Sequence, residues 1–354
     1  MFILYREIVV LNILVTGAFG NVGRSTVAAC LAEGDRVTAL EVETKYTRRL
    51  VRPLTRAWRE IGLAPRILFG DVRDPEVGRQ AVLGQDAVIH LAALIPPAAD
   101  RYPELARSVN VGGTANLLDA TRAAAQGSGR CPRLVFASSV AAYGDRVSNY
   151  WIRVGDALEP SPGDEYGRTK VEAEALLRRS GLPFVILRLG AVMWRKKLDP
   201  DPLLFSMPLR TKLEICHTED TGRAFAKAAR AEAILGRTFD VGGGVSCRTD
   251  YRSFLDRMLN LIGLGGVARF PSEAFASSGF HCGWYADSDE AERELRFRSK
   301  GLEDYYAEVA EETRHIRPFA TLAAPFVRFK MLAASPFWQA RGPSSKPSYE
   351  GLRQ

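Results

Sequence analysis

Short apolar runs recur at 12–16, 36–40, 66–70, 86–91, 133–137 and 183–188, and longer segments with helical spacing of apolar residues, among them 21–33, 104–125 and 166–180, separate them. Runs of this length suit strands buried on both faces, and the intervening helices supply the crossovers that parallel pairing needs. The pattern predicts an α/β fold, a doubly wound parallel sheet with helices on both faces. A seventh strand is expected at 238–241, after a helix at 219–234 and before Gly242-Gly243-Gly244. The sheet domain then spans 11–190 plus 217–244. The remaining pieces, 191–216 plus 245–315, are expected to form a smaller cap over the carboxyl ends of the strands, where open sheets bind ligands.

From Ile316 the helical pattern gives way to five prolines mixed with Phe319, Phe326, Phe329, Phe337 and Trp338, so 316–354 is expected to be a tail. It is also basic, with six cations against the single acid Glu350, and it holds most of the net charge of +7. Three readings are open: the aromatics pack on the body or on a partner subunit, the segment lies on an anionic membrane surface, or it is disordered. The rest of the chain is close to neutral, which argues against a nucleic-acid-binding surface.

Apolar residues make up 46% of the 354, enough for a sizeable core. Five widely spaced cysteines, Cys30, Cys131, Cys216, Cys247 and Cys282, form no metal-ligand or redox pair and are read as reduced thiols of a cytoplasmic protein without a metal site. No stretch reaches the roughly 18 uncharged apolar residues of a membrane span. Met1–Val10 is interrupted by Arg6 and Glu7 and lacks a cleavage site, so it does not read as a signal peptide; the natural start is expected near Val10 or Leu11.

Three separated pieces carry chemistry. Gly17, Gly20 and Gly23 sit in Thr16-Gly17-Ala18-Phe19-Gly20-Asn21-Val22-Gly23, between the first strand and the first helix, where backbone amides approach a pyrophosphate. The first two glycines are one residue further apart than in the fingerprint of ordinary dehydrogenases. Glu41 ends the second strand, placed to accept both ribose hydroxyls and to repel a 2′-phosphate, which favours NAD over NADP. The basic run Lys45, Arg48, Arg49, Arg52, Arg56 and Arg59 offers either a phosphate clamp, which would favour NADP, or a solvated helix face. Asp71 and Val72 follow the third strand, with Asp71 placed for adenine, and Leu91, Ala92 and Ala93 offer small side chains after the fourth. His90 reads as a satisfied core histidine.

The other two pieces are Ser138-Ser139 and Tyr166-Gly167-Arg168-Thr169-Lys170. Tyr166 and Lys170 lie four apart on one helix face, so the ammonium can favour phenolate. Bringing a phenol from its usual pKa near 10 down by roughly three units takes about 4 kcal/mol of differential stabilisation, which Lys170 and a positive nicotinamide ring are expected to supply together. Ser139 is placed to hydrogen-bond a substrate oxygen while Tyr166 exchanges its proton.

With His90-Leu91-Ala92-Ala93, Asn110-Val111-Gly112-Gly113-Thr114, Tyr143-Gly144, His217-x-x-Asp220 and Phe239-Asp240-Val241-Gly242-Gly243, these pieces resemble an extended short-chain dehydrogenase/reductase, the group that includes the NAD-dependent epimerase/dehydratase family. The likeness covers roughly 11–315. It implies a Ser139, Tyr166, Lys170 catalytic triad supported by Asn110, with Lys170 also on the nicotinamide ribose. It further implies a cofactor site that includes Phe19, Asn21 and Val22, and a homodimer through helices near 104–125 and 166–180.

Departures from the family bear on the substrate. Dehydratases place Asp-Glu after the catalytic serine or threonine; Val140 and Ala141 stand there, which excludes acid–base loss of water by that pair. The sugar-nucleotide pattern after the sixth strand is replaced by Arg188-Leu189-Gly190-Ala191-Val192-Met193-Trp194, and Leu213 takes the place of the diphosphate-binding arginine, with Arg195, Lys196 and Lys197 as the substitutes on offer. Trp194, Leu203, Leu204, Phe205, Met207 and Trp284 either make the cap side of the cleft apolar or are cap core. The expected function is hydride transfer between NAD(H) and a secondary alcohol or ketone, with a small-molecule carbonyl, alcohol or sugar as substrate. The alternatives are a sugar epimerase with tightly bound NAD and a non-catalytic dinucleotide-binding sensor or scaffold.

Overall fold

A computed structural model of the chain describes residues 9–62, 64–193 and 203–341. Seven strands form one sheet: β1 (Asn12–Thr16), β2 (Arg36–Glu41), β3 (Arg66–Phe69), β4 (Ala87–His90), β5 (Arg133–Ser139), β6 (Phe184–Leu189) and β7 (Thr238–Val241), ordered β7-β6-β5-β4-β1-β2-β3. Every pairing is parallel, as in Asn12 opposite Arg36 and Ile13 opposite Ala87.

Successive side chains of a strand point to opposite faces, and both faces here are apolar. Ile13, Val15, Val37, Ala39, Ile89, Val135, Val185 and Leu187 enter one core with helix α1 (Asn21–Ala32) and with Ala224, Phe225 and Ala228 of a second helix. Leu14, Leu40 and Val88 face the other side, against helix α2 of this layer (Pro75–Val82) and α3 (Gly113–Ser128), while Leu134, Phe136 and Ile186 meet α4 (Glu165–Arg179). Each large aliphatic chain so buried contributes about 1.5–3 kcal/mol. Chain reversal on either side of β1 leaves a crevice at the carboxyl ends of β1 and β4.

The expected helix over 104–125 is interrupted. A short helix, Pro103–Arg107, leads into a π-helical turn, Ser108–Gly112, and only then into α3. Such wide turns concentrate at functional positions, and this one contains Asn110.

A second core unites Phe205, Leu213 and Ile215 with helix α5 (Tyr251–Leu261) and helix α6 (Leu302–Thr313). Its small sheet joins Ala191–Met193, Lys212–His217 and Arg248–Asp250. The segment expected to be a tail differs most from its sequence reading. Arg317–Ala334 is an 18-residue helix, α7, despite Pro325 within it, and Ala324, Met331 and Leu332 join the second core. Proline removes one amide donor from a helix but does not prevent it where packing compensates. Of the aromatics, Trp338 packs against the core while Phe319, Phe326 and Phe337 stay exposed.

A buried polar network joins the sheet to α4. Arg188 of β6 grips Glu174 of α4 through two hydrogen bonds of 2.8 and 2.7 Å. Glu174 also accepts from the Ser138 hydroxyl at 2.6 Å, and Arg188 donates to the Tyr143 hydroxyl, which donates to Asp240. The pair is almost wholly inside the protein, so removing one partner strands a charge. Glu174→Ala is expected to destabilise the fold by roughly 3–5 kcal/mol, measured by urea unfolding; a loss below ~1 kcal/mol would show that the pair behaves like a surface ion pair.

Candidate active site

The turn after β1 is built by steric necessity. Gly17 has φ +66°, and a Cβ there would lie 2.8 Å from the amide nitrogen of Ala92. A Cβ on Gly23 would lie 2.1 Å from the Gly17 carbonyl oxygen, so α1 can approach β1 only with glycine at that position. Helix α1 begins after Gly20 with no side-chain cap and no acid in its first turn, which leaves its amides and the positive end of its dipole for an anion. The turn is held from β4 as well: the Thr16 hydroxyl accepts from the amides of Leu91 and Ala92, each at 3.2 Å. His90 sits between Thr16 and Thr114 at 2.8 and 3.1 Å, a satisfied core histidine that burial pushes down to about 3.

A cavity of about 1330 Å³ runs from this turn past the ends of β4 and β5 to the cap. Gly17, Phe19, Gly20, Asn21, Val22, Gly23, Glu41, Asp71, Val72, Leu91, Ala92, Ala93, Ser139, Tyr166 and Lys170 all line it. The structure thus gathers onto one surface residues that lie up to about 150 positions apart in the chain, and it is large enough for a dinucleotide and a second molecule.

The end of the cavity beside the glycine turn is set by carboxylates. Glu41 receives the Phe19 amide at 2.9 Å and the Val42 amide at 3.0 Å, which fixes it beside the glycine turn. Asp71 is tied by Arg73, whose guanidinium and amide both bond to it and hold its carboxyl below the usual range despite partial burial. Its acceptors are therefore shared with Arg73, a neighbour the sequence reading passed over. The basic helix 45–59 gives the cavity only Tyr46 and Thr47. Its exposed Arg48 and Arg56 pair with Glu43 and Glu60, which matches the solvated-face reading.

At the other end, Tyr166 stands in the first turn of α4, whose amino terminus is capped by Asp164 accepting from the Gly167 amide at 2.7 Å. Lys170 lies one turn on, its Nζ 5.5 Å from the Tyr166 ring centroid, and donates to the Ala137 carbonyl at 2.7 Å. The Ser139 hydroxyl accepts from the Ala141 amide at 3.2 Å. Asn110 lies behind the cavity wall. Its side chain accepts from the Leu94 amide at 2.7 Å and donates to the Leu94 carbonyl and the Thr169 hydroxyl at 3.0 and 2.9 Å, which locks the loop after β4 to α4.

Burial pushes the Tyr166 phenol up to about 12, opposed by its bond with Ser139. Burial likewise pushes Lys170 down to about 7. The sequence expectation gave the lowering of the phenol to Lys170 and a positive nicotinamide ring together; in the protein alone, burial acts against it.

The described cap residues divide between the two readings. Leu204 lines the cavity, but Phe205 is cap core, Met207 packs beside it, and Leu213 is buried there too. The indole of Trp284 donates to the Leu213 and Thr249 carbonyls, outside the cavity. Trp194, Arg195, Lys196 and Lys197, and the side chain of Leu203, lie outside the described residues. The wall is built instead by Tyr251, Phe254, Leu255, Met258 and Leu259 of α5 with Val327 and Met331 of α7. The α5 residues recur at i, i+3, i+4, i+7 and i+8, a signal present in the sequence.

The model of the NAD dependent epimerase/dehydratase family matches residues 13–195, more than half of the chain. The chain belongs to this family. Membership in the NAD-dependent epimerase/dehydratase family makes it an NAD-dependent enzyme of the dehydrogenase, reductase or epimerase kind, with the Rossmann-type sheet seen here. It is 35% identical over 208 residues to L-arabinose 1-dehydrogenase (NAD(P)(+)) of Haloferax volcanii, covering 54% of this chain and 72% of that one. It is 31% identical over 212 residues to sterol demethylase protein B of Methylococcus capsulatus, covering 58% and 57%. Among solved family structures, UDP-glucose-4-epimerase of Stenotrophomonas maltophila, crystallised with NAD and formylated UDP-arabinopyranose, superposes with a TM-score of 0.70 at 20% identity, over 88% of this chain and 100% of that one.

A pH dependence follows from Lys170. Between about 7 and its ordinary value of 10.5 the folded protein binds less proton at this site than the unfolded chain, so raising the pH across that window favours folding. Lys170→Met is therefore expected to raise Tm relative to the parent more at pH 6 than at pH 10. Equal shifts at both pH values, read by thermal melts, would contradict the burial argument.

Proposed function

We propose that the protein exchanges hydride between a dissociable NAD(H) and an apolar secondary alcohol or ketone. One observation carries the substrate class. The charged residues lining the cavity, among those described, are Glu41, Asp71 and Arg73 at the adenosine end and Lys170 at the catalytic end. Among the described residues the cap side contributes none. A nucleotide sugar would find no cation for its diphosphate among them, at a desolvation cost of several kcal/mol, whereas an apolar molecule gains about 25 cal/mol per Å² buried.

The glycine turn and the amino terminus of α1 fit a pyrophosphate. Glu41 fits the adenosine ribose, which favours NAD, Asp71 the adenine, and Lys170 the nicotinamide ribose. When bound, the nicotinamide supplies the hydride acceptor or donor and, when oxidised, a positive charge. The chain's own residues handle the oxygen: Ser139 donates to it, and Tyr166 takes its proton during oxidation or returns one during reduction. Asn110 acts through Leu94 and Thr169, keeping the wall and α4 in register. A homodimer through the surfaces of α3 and α4 belongs to the same reading. The three polar side chains Ser139, Tyr166 and Lys170 in one cavity favour catalysis over a sensor or scaffold role, which would need none of the proton chemistry.

The test is a panel of alicyclic and long-chain secondary alcohols against UDP- and dTDP-sugars, followed by NADH absorbance and product analysis. Oxidation of the apolar alcohols with net NADH release is expected, and Tyr166→Phe should lose about 10²–10⁴-fold in kcat while binding NAD within a fewfold of the parent. Conversion of nucleotide sugars with nicotinamide retained by the protein would overturn the reading in favour of an epimerase.

A further inference from the structure

Helix α7 is apolar on two sides. Its inner side, Ala320, Val327 and Met331, lines the cavity. Its outer side presents Phe319, Leu322 and Phe326, spaced i, i+3 and i+7 on one stripe and left 75%, 85% and 51% exposed. Ile316, just before the helix, belongs to both, being half exposed and also part of the cavity wall. Large aromatic and aliphatic side chains are seldom left in water as a continuous stripe without an occupant.

Charge selects the occupant. From Thr313 to Arg341 the chain contains no acid, while Arg314, Arg317, Lys330 and Arg341 are exposed. Arg314 and Arg341 pair with Glu311 and Glu273 from outside that span, and the Lys330 ammonium sits 5.6 Å from the centroid of the Phe326 ring. An apolar stripe bordered by cations suits the boundary between headgroups and acyl chains of an anionic bilayer. No helix among the described residues is long and apolar enough to cross a membrane, so the contact would lie along the surface.

We propose that α7 docks this enzyme on anionic membrane surfaces and that its apolar substrate passes from the bilayer past Ile316 into the cavity. The helix, about 10 Å across, is then the partition between lipid and active site. The substrate route rests on the apolar-substrate reading above; the docking does not.

The experiment floats the full chain on density gradients with vesicles of phosphatidylcholine alone or mixed with phosphatidylglycerol, in low and high salt. The parent protein is expected to float with the anionic vesicles, less so in high salt, and the combined variant Phe319→Ser, Leu322→Ser, Phe326→Ser to lose more than about tenfold in partitioning with an unchanged Tm. Its NAD-linked turnover of a dissolved secondary alcohol should match the parent, while turnover of a water-insoluble alcohol supplied in vesicles should fall. Parent protein that stays at the bottom of the gradient overturns the docking, as does a variant that floats equally well. So does a shift from dimer to monomer in the variant on sedimentation with no change in vesicle binding, which assigns the stripe to a second copy of the chain. Flotation without oxidation of any apolar alcohol leaves the docking standing and defeats the substrate reading alone.

Discussion

The constraint on which the site depends is that a buried ammonium is set beside a phenol on the cavity wall. Lys170 holds its position because the Ala137 carbonyl accepts a hydrogen bond from it at 2.7 Å and because α4 is pinned to the sheet by Glu174, Arg188 and Ser138. Enclosure has a cost for both groups, and it moves them in opposite directions, the lysine down and the tyrosine up. In the protein alone the phenol stays neutral at neutral pH. In the proposed function an oxidised nicotinamide brings the further positive charge that favours phenolate.

The rest of the cavity is divided between two kinds of surface. The sheet end supplies backbone amides, an uncapped helix start and carboxylates, which suit the polar halves of a dinucleotide. The cap end supplies Tyr251, Phe254, Met258 and Met331, which bring no charge, and the Tyr251 hydroxyl is already bonded to the Leu204 carbonyl. The division follows from the parts: strand ends expose unpaired backbone groups, whereas a cap of amphipathic helices can offer the cleft only the faces it does not bury against itself. The proposed function sets the cofactor at the polar end and the substrate at the apolar end.

Much of the fold was legible because period-two burial on both faces leaves continuous apolar strands, and the glycine turn because Gly17 and Gly23 have no steric substitute. Tyr166 and Lys170 were legible through their spacing. What escaped depended on three-dimensional context. The resemblance named Asn110, but no periodicity announces the π-helical turn that holds it, and its partners Leu94 and Thr169 are distant in sequence. Helix α7 was obscured by Pro318 and Pro325, since propensity argues against a helix that packing nonetheless maintains. The wall residues of α5 carried a clear amphipathic pattern, but which cavity that face meets is decided by the way the cap closes on the sheet.

The direct test of this electrostatic account is the ionisation of Tyr166, read as the ultraviolet phenolate difference between the parent and Tyr166→Phe, first in the protein alone and then with saturating NAD⁺ or NADH. The account predicts a value near 12 in the protein alone, a marked fall with NAD⁺ and little change with NADH. A phenolate that already forms near neutral pH in the protein alone would show that Lys170 suffices, and would contradict it.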